Sequence, residues 1–229
     1  MQNRRKTLKQ IVGLGLGLSL PQLAFLQTVA ELPKVLILGD SISIGYTPFV
    51  QEYLQDKALV VRPVYEDGSV ENCEGTTKGI RKVQAWLGDI AWDVIHFNFG
   101  LHDLKHVDPL SGKNSKSPMD PQQAAPKYYR KNMKAIVKML KKTEAKLIFA
   151  TTTPYPTPVD GPLRLPGMPE LYNKLATKIM RKNKIPVNDL YDYVLPHLDE
   201  LQRPSNVHFT KTGSQALGKQ VSEVIAQYL

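Results

Sequence analysis

A serine hydroxyl becomes a useful nucleophile only when a base removes its proton, and Ser41 and His208 offer that pairing from opposite ends of the chain. Ser41 closes the run Val35-Leu36-Ile37-Leu38-Gly39-Asp40-Ser41. Aliphatic residues ended by Gly-Asp-Ser predict a buried parallel strand and a tight turn that presents a polar side chain at the carboxyl edge of the sheet. That edge is where open α/β sheets keep their ligands. His208 stands in Pro204-Ser205-Asn206-Val207-His208-Phe209-Thr210, just before a terminal helix. Imidazole has the side-chain pKa closest to working pH, and a helix N-terminus disfavours its cationic form. Each residue also has a plainer use, Ser41 as a helix cap and His208 as a capping or packing residue. Among the other histidines, His96 falls inside a strand, while His106 and His197 lack a motif.

The elements that must position these groups follow from periodicity. After the strand at 34–38, Phe49, Val50, Tyr53 and Leu54 recur at helical spacing, and 58–64 reads as a second strand. Residues 65–79 form a loop, from which Ile80, Val83, Trp86 and Leu87 lead a helix ending near Gly88. A third strand at 93–97 runs into Asn98-Phe99-Gly100-Leu101-His102-Asp103. Asn98 is a substrate-binding candidate at this edge, although alternation alone does not say which way it points. Residues 104–123 form a long loop, followed by a lysine-bearing helix with Tyr129, Met133, Ile136, Val137 and Leu140 on its buried face. A fourth strand at 147–150 precedes a second rim loop, 153–167, which Pro154, Pro156, Pro158, Pro162 and Pro166 keep irregular. A helix with Leu171, Leu175 and Ile179, a short strand at 186–190, an irregular stretch, and a last helix at 211–227 burying Leu217, Val221, Val224 and Ile225 complete the chain. Strands alternating with helices argue for a parallel sheet covered on both faces.

Residues 1–30 differ in kind. Arg4, Arg5, Lys6 and Lys9 precede an apolar stretch from Ile11 to Leu20, with small residues at Thr28 and Ala30. This reads as an export signal, too short to span a bilayer as a stable helix, and the domain proper is 31–229. The order Arg4-Arg5-Lys6-Thr7-Leu8-Lys9 resembles the twin-arginine type; an ordinary secretory signal or an uncleaved anchor are the other readings. The expected location is periplasmic or extracellular, without stable membrane association once the signal is removed. Much of the formal net charge of +9 belongs to this leader. The rest gathers on the helix carrying Lys127, Arg130, Lys131, Lys134, Lys138, Lys141 and Lys142, a solvated face rather than a nucleic-acid site. Cys73 is the single cysteine, which excludes an intrachain disulfide framework, and it has no cysteine partner for a metal site.

Gly39-Asp40-Ser41, Gly75 after the second strand, Gly100-Leu101-His102-Asp103 after the third and His208 before the last helix together resemble, in order and across the whole of 31–229, the SGNH or GDSL-type hydrolases. The resemblance implies a flavodoxin-like three-layer α/β/α sandwich with a parallel sheet of about five strands. It also implies hydrolysis of small-molecule or polysaccharide esters with no metal or organic cofactor. By motif, Ser41 is the nucleophile and His208 the general base that later protonates the leaving alcohol. The Ser41 and Gly75 N–H groups are oxyanion donors, each worth roughly 3 kcal/mol when well placed. The family's third donor is an asparagine, and His102 occupies its place. A neutral imidazole N–H can donate in the same direction, and a protonated one more strongly.

Asp40 and Asp103 are expected to tie the loops through backbone N–H groups. The family's aspartate, three residues before the histidine, is Ser205 here. The group orienting His208 is therefore open: a backbone carbonyl near Pro204 or Ser205, or Asp199 or Glu200 folded back. The expected activity is a serine esterase removing acetyl or another small acyl group from a carbohydrate. The alternative is a protein of the same fold that binds glycan without turnover, or cleaves it with other residues such as Asp40 and Asp103. Oligomeric state is not legible.

Overall fold

The computed structural model describes residues 31–229, so the expected export signal at 1–30 lies outside the described residues. Strands β1 (Lys34–Leu38), β2 (Leu59–Val61), β3 (Val94–Phe97), β4 (Lys146–Ala150) and β5 (Val187–Asn188) form one all-parallel sheet in the order β2-β1-β3-β4-β5. This is the flavodoxin-like order, with its switch point between β1 and β3. Val35, Leu36, Ile37, Val94, Ile95 and Phe149 are fully or almost fully buried, as a sheet covered on both faces requires.

Helix α1 (Ser41–Tyr53) packs against α7 (Lys211–Ala226). Helices α2 (Thr76–Leu87), α3 (Pro126–Leu140) and α4 (Met168–Asn183) pack against one another in sequence. The α3 stripe buries Tyr129, Met133, Ile136, Val137 and Leu140, the face its periodicity predicts. On α4 the buried face is offset from the expected one. Tyr172, Ala176, Ile179 and Met180 are buried, while Leu171 is exposed. The Tyr172 ring explains the rotation: it packs 4.7 Å from the Tyr129 ring and its O–H donates to the Ala124 carbonyl at 2.8 Å.

Three boundaries differ from expectation. Strand β2 ends at Val61 rather than running to Val64, because Arg62 turns inward to bond other loops and Pro63 has no N–H for a ladder. Helix α2 begins at Thr76, inside the expected loop, because the Asp103 carboxylate accepts the Thr76 N–H from across the structure. The stretch expected to be irregular after β5 contains α5 (Leu190–Val194), a 3-10 turn (Leu195–His197) and α6 (Leu198–Leu201). Asp189 nucleates the first of these by accepting the Asp192 N–H, which also cuts β5 short.

The segment carrying His208 is held by α6 and α7. The Thr210 N–H donates to the Leu201 carbonyl at 2.9 Å, and Thr210 caps α7 by accepting the Gly213 N–H at 2.9 Å. Gly213 lets the two backbones meet: a Cβ there would lie 2.1 Å from the Leu201 carbonyl oxygen. Both partners are main chain, so no side-chain rotation relieves the contact. Gly213→Ala is expected to destabilise the fold by about 3 kcal/mol in chemical denaturation. A loss below about 1 kcal/mol would show that α7 is seated less closely than this.

Candidate functional site

Ser41 is the first residue of α1, and Asp40 is its N-cap, its Oδ1 accepting the Ile42 N–H at 3.0 Å. The helix begins where β1 ends, so Ser41 stands at the carboxyl edge of the sheet beside the switch point. Across that edge, Ser41 Oγ lies 2.9 Å from His208 Nε2. The other ring nitrogen, Nδ1, donates to Asn206 Oδ1 at 2.8 Å, and the same oxygen accepts the His208 backbone N–H at 2.9 Å. An amide oxygen on Nδ1 fixes the proton there and leaves the Nε2 lone pair facing the serine hydroxyl.

Asn206 thus stands where the sequence suggested a backbone carbonyl or a displaced carboxylate. The Ser205 carbonyl accepts instead from the Asp160 N–H at 2.7 Å, and Asp199 and Glu200 are exposed on α6, with Glu200 3.6 Å from His197 Nδ1. Ser205 adopts a positive φ of 51°, and this left-handed turn precedes the Asn206 amide that closes back on the residue two positions on. The signal was present as an Asx residue two positions before a histidine.

The candidate oxyanion donors come from two helix starts. The Ser41 N–H opens α1 and the Gly75 N–H belongs to the N-cap of α2, positions without an intrahelical acceptor. A Cβ at Gly75 would lie 2.9 Å from Asp103 Oδ2, so only glycine fits. Asp103 takes the Thr76 N–H at 2.8 Å and also the Thr76 hydroxyl. Its burial pushes the carboxyl pKa up to about 7, against the opposing effect of the Thr76 hydrogen bonds. His102 is half-buried on the same turn, and its Nδ1 is buried without a hydrogen-bond partner. Burial first, and then the charges of Lys105 and Arg164, push its pKa down to about 3. The cationic donor entertained from sequence is therefore not the form present near neutrality. His208 is shifted down as well, by burial and by the charges of Arg203 and Arg164.

Asn98, expected as a substrate contact, donates its Nδ2 to the Ala150 carbonyl at 2.8 Å and so ties the ends of β3 and β4. Sequence reasoning passed over Arg62. Its guanidinium donates to Ser43 Oγ at 3.0 Å, Thr47 Oγ1 at 3.1 Å, the Gly39 carbonyl at 3.2 Å and the Glu71 carbonyl at 3.3 Å. It clamps the loop of Ser41 to the loop of Gly75. The only clue was a charged residue directly after the apolar run Leu59-Val60-Val61.

Asp40 is 1% exposed and Asp103 0%, with both carboxylates turned to backbone N–H groups, an arrangement unsuited to flanking a glycosidic bond. A cleft of about 790 Å³ lies away from Ser41 and His208, between α4 and the α5 region, lined by Glu170, Lys174, Lys178, Asp189 and Tyr191 among others. Among the described residues no group of three or more His, Cys, Asp or Glu side chains is placed to hold a metal ion, and no helix is long and apolar enough to cross a membrane.

The profile of the GDSL-like Lipase/Acylhydrolase family matches residues 37–216. No curated protein matches the chain significantly in sequence. Among solved structures, a lipase/acylhydrolase from Enterococcus faecalis is 18% identical with a TM-score of 0.67, the match covering 86% of this chain and 96% of that one. The acetyl xylan esterase AlAXEase is 18% identical with a TM-score of 0.65, over 84% and 99% of the two chains. A carbohydrate esterase family 3 protein from Talaromyces cellulolyticus is 17% identical with a TM-score of 0.61, over 86% and 97%. At these identities the likeness is one of fold.

The Asn206 contact makes a spectroscopic prediction. Nitrogen NMR of His208 near pH 7.5 is expected to show a protonated Nδ1 and a bare Nε2, with the ring titrating below the ordinary value of 6.5. In Asn206→Ala the two tautomers are expected to mix. A pure Nδ1–H signal that survives the substitution would assign the orienting role to another group.

Proposed function

This chain belongs to the GDSL-like lipase/acylhydrolase family, and from that premise we propose that it is a serine esterase that removes acetyl or another small acyl group from a carbohydrate. The observation that carries the reading is the chain of contacts from Ser41 Oγ to His208 Nε2 at 2.9 Å and from His208 Nδ1 to Asn206 Oδ1 at 2.8 Å. Ser41 Oγ attacks the acyl carbon while its proton passes to His208 Nε2. The oxyanion so formed takes hydrogen bonds from the Ser41 and Gly75 N–H groups and from the neutral His102 ring. Collapse of the intermediate expels the sugar alcohol, which takes the proton from His208. Water then attacks the acyl-serine, gives its proton to His208 and releases the acid, and the proton returns to Ser41.

An amide oxygen behind the base has consequences. It selects the tautomer without placing a negative charge beside the imidazolium, and the positive field of Arg164 and Arg203 acts against that cation. His208 therefore stays neutral, and able to accept the serine proton, to lower pH than an ordinary imidazole does.

The carbohydrate half of the proposal draws on two supports. The acetyl xylan esterase and the carbohydrate esterase share the fold, and residues 1–30 carry the charge and hydropathy pattern of an export signal. We infer accordingly that the enzyme works outside the cytoplasm.

Hydrolysis of 4-nitrophenyl acetate tests the chemistry. Ser41→Ala and His208→Ala are each expected to lower kcat by at least about a thousandfold. Equal rates in wild type and Ser41→Ala would remove the serine mechanism. Because His208 is the base and its pKa is depressed, the acid limb of kcat/KM is expected to have its midpoint below pH 6.5. A midpoint at or above pH 7 would contradict the assignment. Asn206→Ala is expected to cost about 10- to 100-fold in kcat, with Asn206→Asp recovering most of it, since the carboxylate still accepts the Nδ1 proton.

A further inference from the structure

Two cations beside the catalytic residues have no salt-bridge partner among the described residues. The rim loops 104–123 and 153–167 are joined where the His106 N–H donates to the Leu163 carbonyl at 2.9 Å and the Leu163 N–H donates to the Ser115 carbonyl at 2.7 Å. Lys105 directly precedes His106, and Arg164 directly follows Leu163, so this junction brings the two side chains to the same part of the rim. Lys105 lies three residues beyond His102, on the strand-end turn whose Leu104 N–H donates to the Gly100 carbonyl at 3.0 Å. The Arg164 loop is anchored to the His208 segment by the Asp160 N–H on the Ser205 carbonyl at 2.7 Å, and is braced internally by the Tyr155 hydroxyl on the Leu165 carbonyl at 2.9 Å.

Both residues are half-buried, and neither forms a salt bridge or a side-chain hydrogen bond with the described residues. Arg164 Nε is buried without an acceptor. The neighbouring cations are spent differently. Lys78 pairs with Glu71 at 3.2 Å and Glu74 at 3.3 Å, Arg62 reaches four acceptors, and Arg203 Nε donates to the Phe209 carbonyl at 3.0 Å. Of the carboxylates whose fields reach Lys105, Glu74 and Asp103 are engaged with Lys78 and Thr76. The third, Asp40, whose field also reaches Arg164, accepts the Ile42 N–H at Oδ1 and keeps Oδ2 without a hydrogen bond, buried at the foot of the Ser41 turn and in no salt bridge with either cation. The charge of Arg164 is felt at Lys105, His102 and His208, which places it within electrostatic range of the reacting groups.

Withdrawing two like charges from water without a counter-ion is costly, and an anion bound between them removes that cost. The guanidinium fork suits a group with two or more oxygens, and the lysine adds a mobile point charge. We propose that Lys105 and Arg164 form an anion-binding subsite beside Ser41, so that the substrate is an acylated sugar carrying a carboxylate or sulfate group near the ester. The inference rests on the esterase reading above and names the substrate class for that site.

The experiment compares matched pairs with the full chain: acetylated polygalacturonate against its methyl-esterified form, and acetylated dextran sulfate against acetylated dextran, with 4-nitrophenyl acetate as the reference ester. Wild type is expected to prefer the charged member of at least one pair by roughly tenfold in kcat/KM, and the preference to shrink as sodium chloride is raised. The pair that shows it identifies the anion as carboxylate or sulfate. In Arg164→Gln and in Lys105→Gln the ratio within that pair is expected to fall toward one, mainly through KM. Taking the ratio cancels any general effect on the catalytic groups, and the wild-type comparison stands even if a variant fails to fold. Equal hydrolysis within both pairs would overturn the subsite and leave the esterase reading intact, as would hydrolysis of the reference ester with none of the glycans cleaved. A preference unchanged in both folded variants would also overturn it. Failure to cleave the reference ester as well would sink the esterase reading and this inference together.

Discussion

The desolvated carboxylate of Asp103 is the contact on which the edge of the sheet depends. It sits on the turn after β3, yet its acceptors serve the Thr76 N–H and hydroxyl at the start of α2. A buried acceptor that lost these donors would be left with the full cost of its removal from water, so the two loops cannot separate cheaply. Gly75 must then lack a side chain, and its N–H comes to rest at the N-cap of α2, at the end of a loop that the Cys73 N–H ties to the Gly39 carbonyl at 3.2 Å. Arg62 extends the same logic to the Ser41 loop by spending its guanidinium on Gly39, Ser43, Thr47 and Glu71. The site is held less by its own residues than by polar groups behind it that have nowhere else to bond.

The parallel sheet, its five strands and the helix faces were legible because burial on both faces imposes long aliphatic runs and helical stripes, which a single sequence displays directly. The motif residues Ser41 and His208, far apart in sequence, could be paired before their 2.9 Å contact was seen, since Gly-Asp-Ser and the terminal histidine lie at strand and helix ends. What escaped notice depends on long-range partners. Asn206 looks like any loop residue until the left-handed turn at Ser205 folds its amide under the imidazole. Asn98 seemed free to meet substrate because the Ala150 carbonyl that occupies it belongs to a neighbouring strand. The register of the buried face of α4 was set by Tyr172, whose polar tip lowers its weight in a hydrophobic pattern although its ring is fully buried.

Electrostatics around the serine lean one way. The half-buried cations Lys105 and Arg164 and the partly screened Arg203 act on two imidazoles that burial has already disposed to neutrality. A carboxylate behind His208 would have offset that field. With an amide oxygen in its place, proton affinity at His208 is set by the surroundings rather than by a dedicated counter-charge, and the rim loop that carries Arg164 becomes part of the tuning of that imidazole.

The buried titratable groups also shape the proton balance of folding. Asp40 and Asp103, raised to about 6 and about 7, keep their protons in the folded chain over a range where the unfolded chain has released them. By themselves they would make stability fall as pH rises from near 4 toward neutrality. His96 and His102, each lowered to about 3, do the reverse: the unfolded chain protonates them below about 6.5 while the folded chain does not, so they make stability fall as pH drops. Across the interval between about pH 4 and pH 6 the two carboxyl protons held on folding match the two imidazole protons given up. These two acids and two bases thus oppose one another, while His208, Asp67 and Asp108, all shifted down in the folded chain, add to the loss of stability as pH drops, so the balance tips against the fold on the acid side.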